Sequence, residues 1–188
     1  LAILGGLAAV AGSVLALTQA DAKKLFAYSS VAQIGYMALG VGVGLAAAVA
    51  GAILHLVNHA LMKSALFMAL GAVRTRGGGA GIEALDGAGR RMPITMVCFT
   101  IAGLSLIGVP LTAGFISKWY LIVGTFERGW WALAAITIIT SLMAAVYVGR
   151  LLERVWMRAP GEHSPKGEAH VAVWAPLAML GVANIYFG

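Results

Sequence analysis

Acidic side chains are scarce in this sequence. Seven occur in 188 residues: Asp21, Glu83, Asp86, Glu127, Glu153, Glu162 and Glu168. All seven fall in polar connections or at the ends of apolar runs. Charge of either sign is rare, at 11% of residues, against about 25% in an ordinary soluble domain. From Leu25 to Met62 there is no Asp, Glu, Lys or Arg. These absences exclude an ordinary soluble globular class. Cys98 is the single cysteine, so no internal disulfide framework exists, and its place in an apolar run reads as a small buried hydrophobe. No Ser-His-Asp or Cys-His set and no phosphate-binding glycine loop is present.

Apolar sequence fills the space. Hydrophobic residues make up 61% of the chain, and the uncharged runs are Leu1–Ala20, Leu25–Met62, Met92–Ser117, Gly129–Gly149 and Ala169–Gly188. A membrane helix needs about 20 apolar residues, whereas a barrel strand needs about 10 with strict alternation. These runs have helix length and do not alternate. The expected class is an all-α polytopic membrane protein, a single membrane domain over residues 1–188. Six segments are expected, at about 1–19, 28–44, 46–73, 93–126, 130–157 and 171–188. The chain opens at Leu1 without Met and closes inside an apolar run, and is expected to be a piece of a longer protein.

The formal charge of +6 is explained by orientation. With six segments, one side of the membrane receives Lys23, Lys24, Arg74, Arg76, Arg90, Arg91, Arg150, Arg154, Arg158 and Lys166, and the other receives Arg128 alone. That bias predicts cytoplasmic basic loops in a cell inner (plasma) membrane. Nucleic acid is not an expected partner, because the basic residues flank helix ends without interleaved aromatics. Trp130 and Trp131, beside Glu127 and Arg128, read as an interfacial anchor on the opposite side. The Gly-rich connection Val73–Pro93 is expected as a loop, with Pro93 suited to the first turn of the next helix.

Against this background three polar residues stand out. His55, His59 and Lys63 lie four and four apart in LAAAVAGAILHLVNHALMKSALFMALGAV. At 3.6 residues per turn they share one helix face, a stripe roughly 12 Å long, and Asn58 joins it. Ionisable residues inside a membrane helix are costly and usually functional. His55 and His59 also have a spacing that can bind a metal. A zinc protease would need Glu at position 56, where Leu56 stands, and a membrane di-iron enzyme would need more histidine boxes than His163 and His170, in a polar loop, can supply. Neither a metal nor another cofactor is expected. Histidine passes protons through its two ring nitrogens, and a desolvated lysine can load and release one, so a proton or cation path fits the stripe better. A scaffold in which these groups only pack is the competing reading.

The segment ITMVCFTIAGLSLIGVPLTAGFISKWYLIVGTF holds 33 residues, too many for one straight crossing. Gly108, Pro110 and Gly114 interrupt it, and Lys118 follows. Proline removes a helix hydrogen bond and clashes with the preceding turn. A discontinuous helix with Lys118 at membrane depth is one outcome, and a kink with Lys118 reaching to the surface is the other. Two buried ammonium groups without a carboxylate also call for a counter-charge, expected from an N-terminal part outside this sequence, or for lysines that are often neutral.

Taken in order, TQADAKKLFAYSSVAQIGYM, HLVNHALMKSALF and GLSLIGVPLTAGFISKWYLI resemble the antiporter-like proton-conducting membrane subunits. That family includes Mrp-type multisubunit sodium/proton antiporters and the pumping subunits of respiratory complex I and membrane-bound hydrogenases. The resemblance implies a fold of about fourteen helices in two inverted repeats, with this chain as most of the second repeat. It implies a proton path through His55, His59, Lys63 and Lys118, and the positions of Asn58 on the same face and of the breaks at Gly108, Pro110 and Gly114 support that path. It puts Lys118 at a Lys/Glu position, so Lys118→Glu is expected to keep more function than Lys118→Ala. HLVNHALMK with GFISKWYL looks most like the D-type component of Mrp antiporters. The implied activity is exchange of protons for Na+ or K+ in a hetero-oligomeric complex within the lipid bilayer. The alternative is a non-redox pumping subunit of an NADH:quinone oxidoreductase or a membrane-bound hydrogenase.

Overall fold

The structure, a computed structural model, describes residues 1–79 and 81–188. Among these there is no strand, only an isolated bridge between Asp21 and Gly81. The helices are α1 (Ala2–Leu17), α2 (Ala22–Val43), α3 (Ala46–Thr75), α4 (Ala88–Arg91), α5 (Pro93–Ile107), α6 (Ala113–Glu127), α7 (Trp131–Met157) and α8 (Val171–Tyr186). A short 3-10 turn, Ile82–Leu85, precedes α4. The six expected segments map onto α1, α2, α3, the pair α5/α6, α7 and α8. Three of them, α2, α3 and α7, are long and apolar enough to cross a membrane alone. Neither α5 nor α6, with 15 residues each, reaches the roughly 30 Å of a bilayer core at 1.5 Å per residue. Joined end to end they cover it.

Helix α2 begins at Ala22, six residues before the start expected from the sequence. The reason is local: the Asp21 carboxylate accepts from Lys24 N at 3.0 Å, an N-cap that compensates for charged residues in the first turn. Gly44, at φ 74°, ends the helix, where the left-handed conformation favours glycine. The connection from Val73 to Pro93 is not a simple loop. Its Ile82, Leu85, Ala88 and Met92 are buried in the main core with Phe26, Met62, Phe99 and Tyr147. Asp86 pairs with Arg154 through both carboxylate oxygens, at 2.9 and 3.1 Å, and holds the turn against α7. Pro93 opens α5 as expected, and Glu168 caps that helix by accepting from Ile94 N at 2.8 Å. Cys98 is buried.

Helices α1 and α2 meet through small residues. A Cβ on Gly12 would lie 2.6 Å from Ala32 N and 2.8 Å from Tyr28 O, and one on Gly35 would lie 2.6 Å from Ala9 N. Close backbone approach through Gly and Ala is how helices gain packing where lipid offers no hydrophobic drive. Gly12→Val is therefore expected to separate α1 from α2 and to lower the thermal midpoint of the detergent-solubilised protein. Gly71→Val, which meets nothing within 4 Å, is the control. An equal midpoint for the two would contradict the packing argument. Large apolar side chains such as Ile3, Leu4, Leu7, Ile139, Leu142 and Val146 face outward.

Candidate functional site

Helix α3 lies between α2 and α6, and its polar stripe is handed from one to the other. His55 is fully buried. Its Nε2 is 2.8 Å from Gln33 Oε1 on α2, and its Nδ1 is 2.8 Å from Ser117 Oγ on α6. An amide oxygen only accepts, so Nε2 carries the proton. The His59 ring stacks on His55 at 6.5 Å between centroids. His59 Nε2 is enclosed without a hydrogen-bond partner among the described residues. One turn on, Lys63 is buried, and its Nζ donates to Phe26 O at 2.7 Å and to Ser29 Oγ. It also lies 5.2 Å from the Phe26 ring centre.

The second lysine is explained by the helix break. Gly108, at φ 89°, ends α5, with Val109 N and Gly108 N turning back to Leu104 O and Ser105 O at 3.1 Å each. This paired closure is a Schellman motif. It leaves the carbonyls of Leu106 and Ile107 without intrahelical donors. Lys118 Nζ takes both, at 2.9 Å each, and adds Ser141 Oγ at 3.1 Å. The Tyr36 ring centre is 5.1 Å away. Lys118 is 4% exposed, so it does not reach the surface. The negative end of the α5 dipole and an aromatic face meet its ammonium in place of a carboxylate.

The remaining sequence candidates build the joint. Asn58 Nδ2 donates to Ala113 O at 2.6 Å, fastening α3 to the first residue of α6. Gly114 N donates to the Ser105 hydroxyl at 3.1 Å, and a Cβ on Gly114 would overlap Ser105 O. Pro110 lies in the connector, where Leu111 adopts φ 71°. That left-handed conformation is uncommon outside Gly, Asn and Asp. His163 and His170 stand apart from the stripe, exposed at the other end of the chain, and His170 Nδ1 accepts from Ala172 N at the start of α8.

Residues 1–144 match the family model described as NADH:quinone oxidoreductase/Mrp antiporter, transmembrane. The chain belongs to this family. Subunit N of the NADH-quinone oxidoreductase of Desulforudis audaxviator (strain MP104C) is 37% identical over the whole chain, which covers 41% of that subunit. Among solved structures, the membrane-bound sulfane sulfur reductase, an archaeal respiratory membrane complex, superposes with a TM-score of 0.90 at 35% identity. That match covers 100% of this chain and 31% of the matched one. The Mrp complex from Dietzia sp. DQ12-45-1b superposes with a TM-score of 0.91 at 23% identity, over 98% of this chain and 42% of the matched one, and that likeness speaks for the fold. The chain thus spans about two fifths or less of the length of these relatives. It is an antiporter-like membrane protein of the Mrp and complex I kind.

Sequence reasoning on this antiporter-like chain misses an entire wall of the site. Ser29, Gln33 and Tyr36 project from α2 at spacings of four and three, onto the face that meets α3 and α6. Their spacing is legible in SSVAQIGY, but uncharged polar residues in a membrane run carry a weaker signal than Lys or His. Ser117, Ser105 and Ser141 have no signal beyond their residue type, since their partners lie on other helices.

Proposed function

We propose that this chain carries part of a proton path through a membrane, along His55, His59 and Lys63 to Lys118. The observation that carries the reading is the cradle around Lys118: a helix broken at membrane depth frees two carbonyls, and a buried lysine takes both. Such a group is costly to bury and is worth retaining where its proton must come and go. Tyr36 supports the link, because its ring packs at a steep angle against His55, 5.7 Å between centroids, while its face lies toward Lys118. The path runs in a hetero-oligomeric complex of the inner (plasma) membrane, with the basic loops on the cytoplasmic side.

Two couplings are compatible with this path. The 37% identity to subunit N of an NADH-quinone oxidoreductase supports a pump driven by redox chemistry in neighbouring subunits. The motifs HLVNHALMK and GFISKWYL support an Mrp-type exchange of protons for Na+ or K+. The test uses the full-length parent, expressed with its neighbouring genes in a host lacking its own antiporters. Dissipation of a pH gradient in everted vesicles on adding Na+ or K+ points to exchange. Gradient formation driven by an electron donor, without a cation response, points to the pump. A parent that does neither, although assembled, would defeat the reading.

Lys63→Ala is expected to lower proton flux by about tenfold or more, as for loss of a positioned proton carrier, with the assembled amount little changed. Lys63 makes two hydrogen bonds but fills little of the apolar core. Flux in everted vesicles, normalised to the complex on a native gel, checks this. Loss of the complex in step with the flux would instead favour the scaffold role.

A further inference from the structure

Ser117 stands where the histidine stripe meets the helix break. Its Oγ is 2.8 Å from His55 Nδ1, 3.2 Å from Gly114 O and 3.4 Å from Ala113 O. A hydroxyl has one proton to give, so it serves one acceptor at a time. Ala113 O already accepts from Asn58 at 2.6 Å, which leaves His55 and Gly114 as the competing targets. On the far side of the ring, Nε2 faces an amide oxygen and keeps its proton in both charge states of His55. A proton gained or lost by His55 therefore sits on Nδ1, the nitrogen that faces Ser117.

The consequence is a two-position hydroxyl. While His55 is neutral, the Nδ1 lone pair accepts the Ser117 proton. When His55 gains a proton, Nδ1–H becomes the donor, Oγ accepts it, and the hydroxyl proton turns to Gly114 O. No proton is lost or created in this turn. Gly114 O is the carbonyl that, at helical spacing, accepts the backbone N–H of Lys118 in the first turns of α6. Gly114 is also the point of closest approach to α5, through Ser105. We propose that Ser117 is a positioning residue whose hydroxyl turns with the charge on His55 and passes that charge to the helix break holding Lys118. The proposal rests on the proton-path reading above. The ionisable groups around His55 are His59 and Lys63 on its own helix, Tyr36 from α2, Lys118 from α6 and, beyond Tyr36, Tyr147 from α7.

The test compares proton flux against pH for Ser117→Ala, Ser117→Cys and Ser117→Thr, in the full-length parent assembled with its partner subunits in everted vesicles. Thr keeps the hydroxyl, Cys offers a weaker donor of similar size, and Ala offers none. Ser117→Ala is expected to slow flux by about fivefold, the lower end of a typical coupling between sites. It is also expected to move the limb on which flux rises with acidity to lower pH by about half a unit, from loss of a charge-assisted bond. Ser117→Cys shifts the same way by less, and decides the matter if the Ala variant does not assemble. Ser117→Thr keeps the wild-type profile. An unshifted profile in Ser117→Ala or Ser117→Cys, or a Thr profile displaced like that of Ala, overturns the proposal. A Lys118→Ala arm separates the two failures. If that variant still conducts, the proton-path reading itself falls; if it is inactive while the Ser117 profiles do not move, only the role of Ser117 falls.

Discussion

Lys118→Met is expected to abolish proton flux in everted vesicles while leaving the complex assembled. Two opposing terms set the stability. The variant leaves the Leu106 and Ile107 carbonyls without their donor, and an unsatisfied buried group costs about 1–3 kcal/mol. It also removes an ammonium whose burial costs several kcal/mol. The net effect on assembly is small. The effect on flux is large because, among the described residues, no other side-chain cation donates to these two carbonyls. Lys118→Glu is expected to be no better than Met. A carboxylate placed here points acceptor oxygens at two carbonyl oxygens, and only its protonated form has a donor to offer. This reverses the expectation drawn from the resemblance, in which Lys and Glu are interchangeable at this position. The interchange needs a cradle of different polarity from the one formed here by Leu106, Ile107 and Ser141. Flux for both variants, normalised to the assembled complex, decides the point. Substantial conduction by Lys118→Glu would show that the carbonyl cradle does not govern this site.

Gly114→Ala is expected to be among the most damaging single-methyl additions in the chain. The added carbon would overlap Ser105 O, so backbone meets backbone and no side chain can move aside to relieve it. The joint between α5 and α6 must open. With it go the Gly114 N–Ser105 Oγ bond and the register that brings Lys118 beneath the α5 carbonyls. Overpacking of this kind costs about 3 kcal/mol or more when the backbone has to shift. Gly149→Ala is the matched control. Gly149 is exposed in the interior of α7 with nothing within 4 Å of an added Cβ, and glycine there costs about 0.5–1 kcal/mol relative to alanine. Thermal unfolding of the purified membrane protein should show a fall for Gly114→Ala and an unchanged or raised midpoint for Gly149→Ala. Equal midpoints would mean that the two half-helices are not held by close backbone contact.

Much of the architecture is legible from the chain alone, because membranes impose strong rules. Uncharged runs of helix length can only be helices or barrel strands, and their lack of alternation removes the second choice. The break between α5 and α6 is legible because Gly108, Pro110 and Gly114 interrupt a run too long for one crossing. The stripe of His55, Asn58, His59 and Lys63 is legible because residues four apart on a helix are neighbours whatever surrounds them. The start of α2 is not, because Lys23 and Lys24 look like loop, while the cap that recruits them into the helix is a single short bond to Asp21. The connection after α3 misleads for a related reason. Its glycines signal a loop, but Ile82, Leu85 and Met92 have a core to enter that the local sequence does not reveal.

Sequence by itself determined the class, the approximate segments, an interruption within the fourth of them and the identity of the four ionisable residues, because each follows from local chemistry along one chain direction. Only the tertiary structure decided what those residues face. Lys118 is held by the end of α5 and a serine of α7, Lys63 by α2, and His55 by Gln33 on one side and Ser117 on the other. These partners come from different helices at sequence separations that no periodicity encodes. What the two lysines donate to within this chain was likewise non-local. The accepting oxygens include backbone carbonyls, which every residue possesses. Those of Leu106 and Ile107 become available only where Gly108 ends one helix and Gly114 lets the next approach closely enough to present a lysine to them.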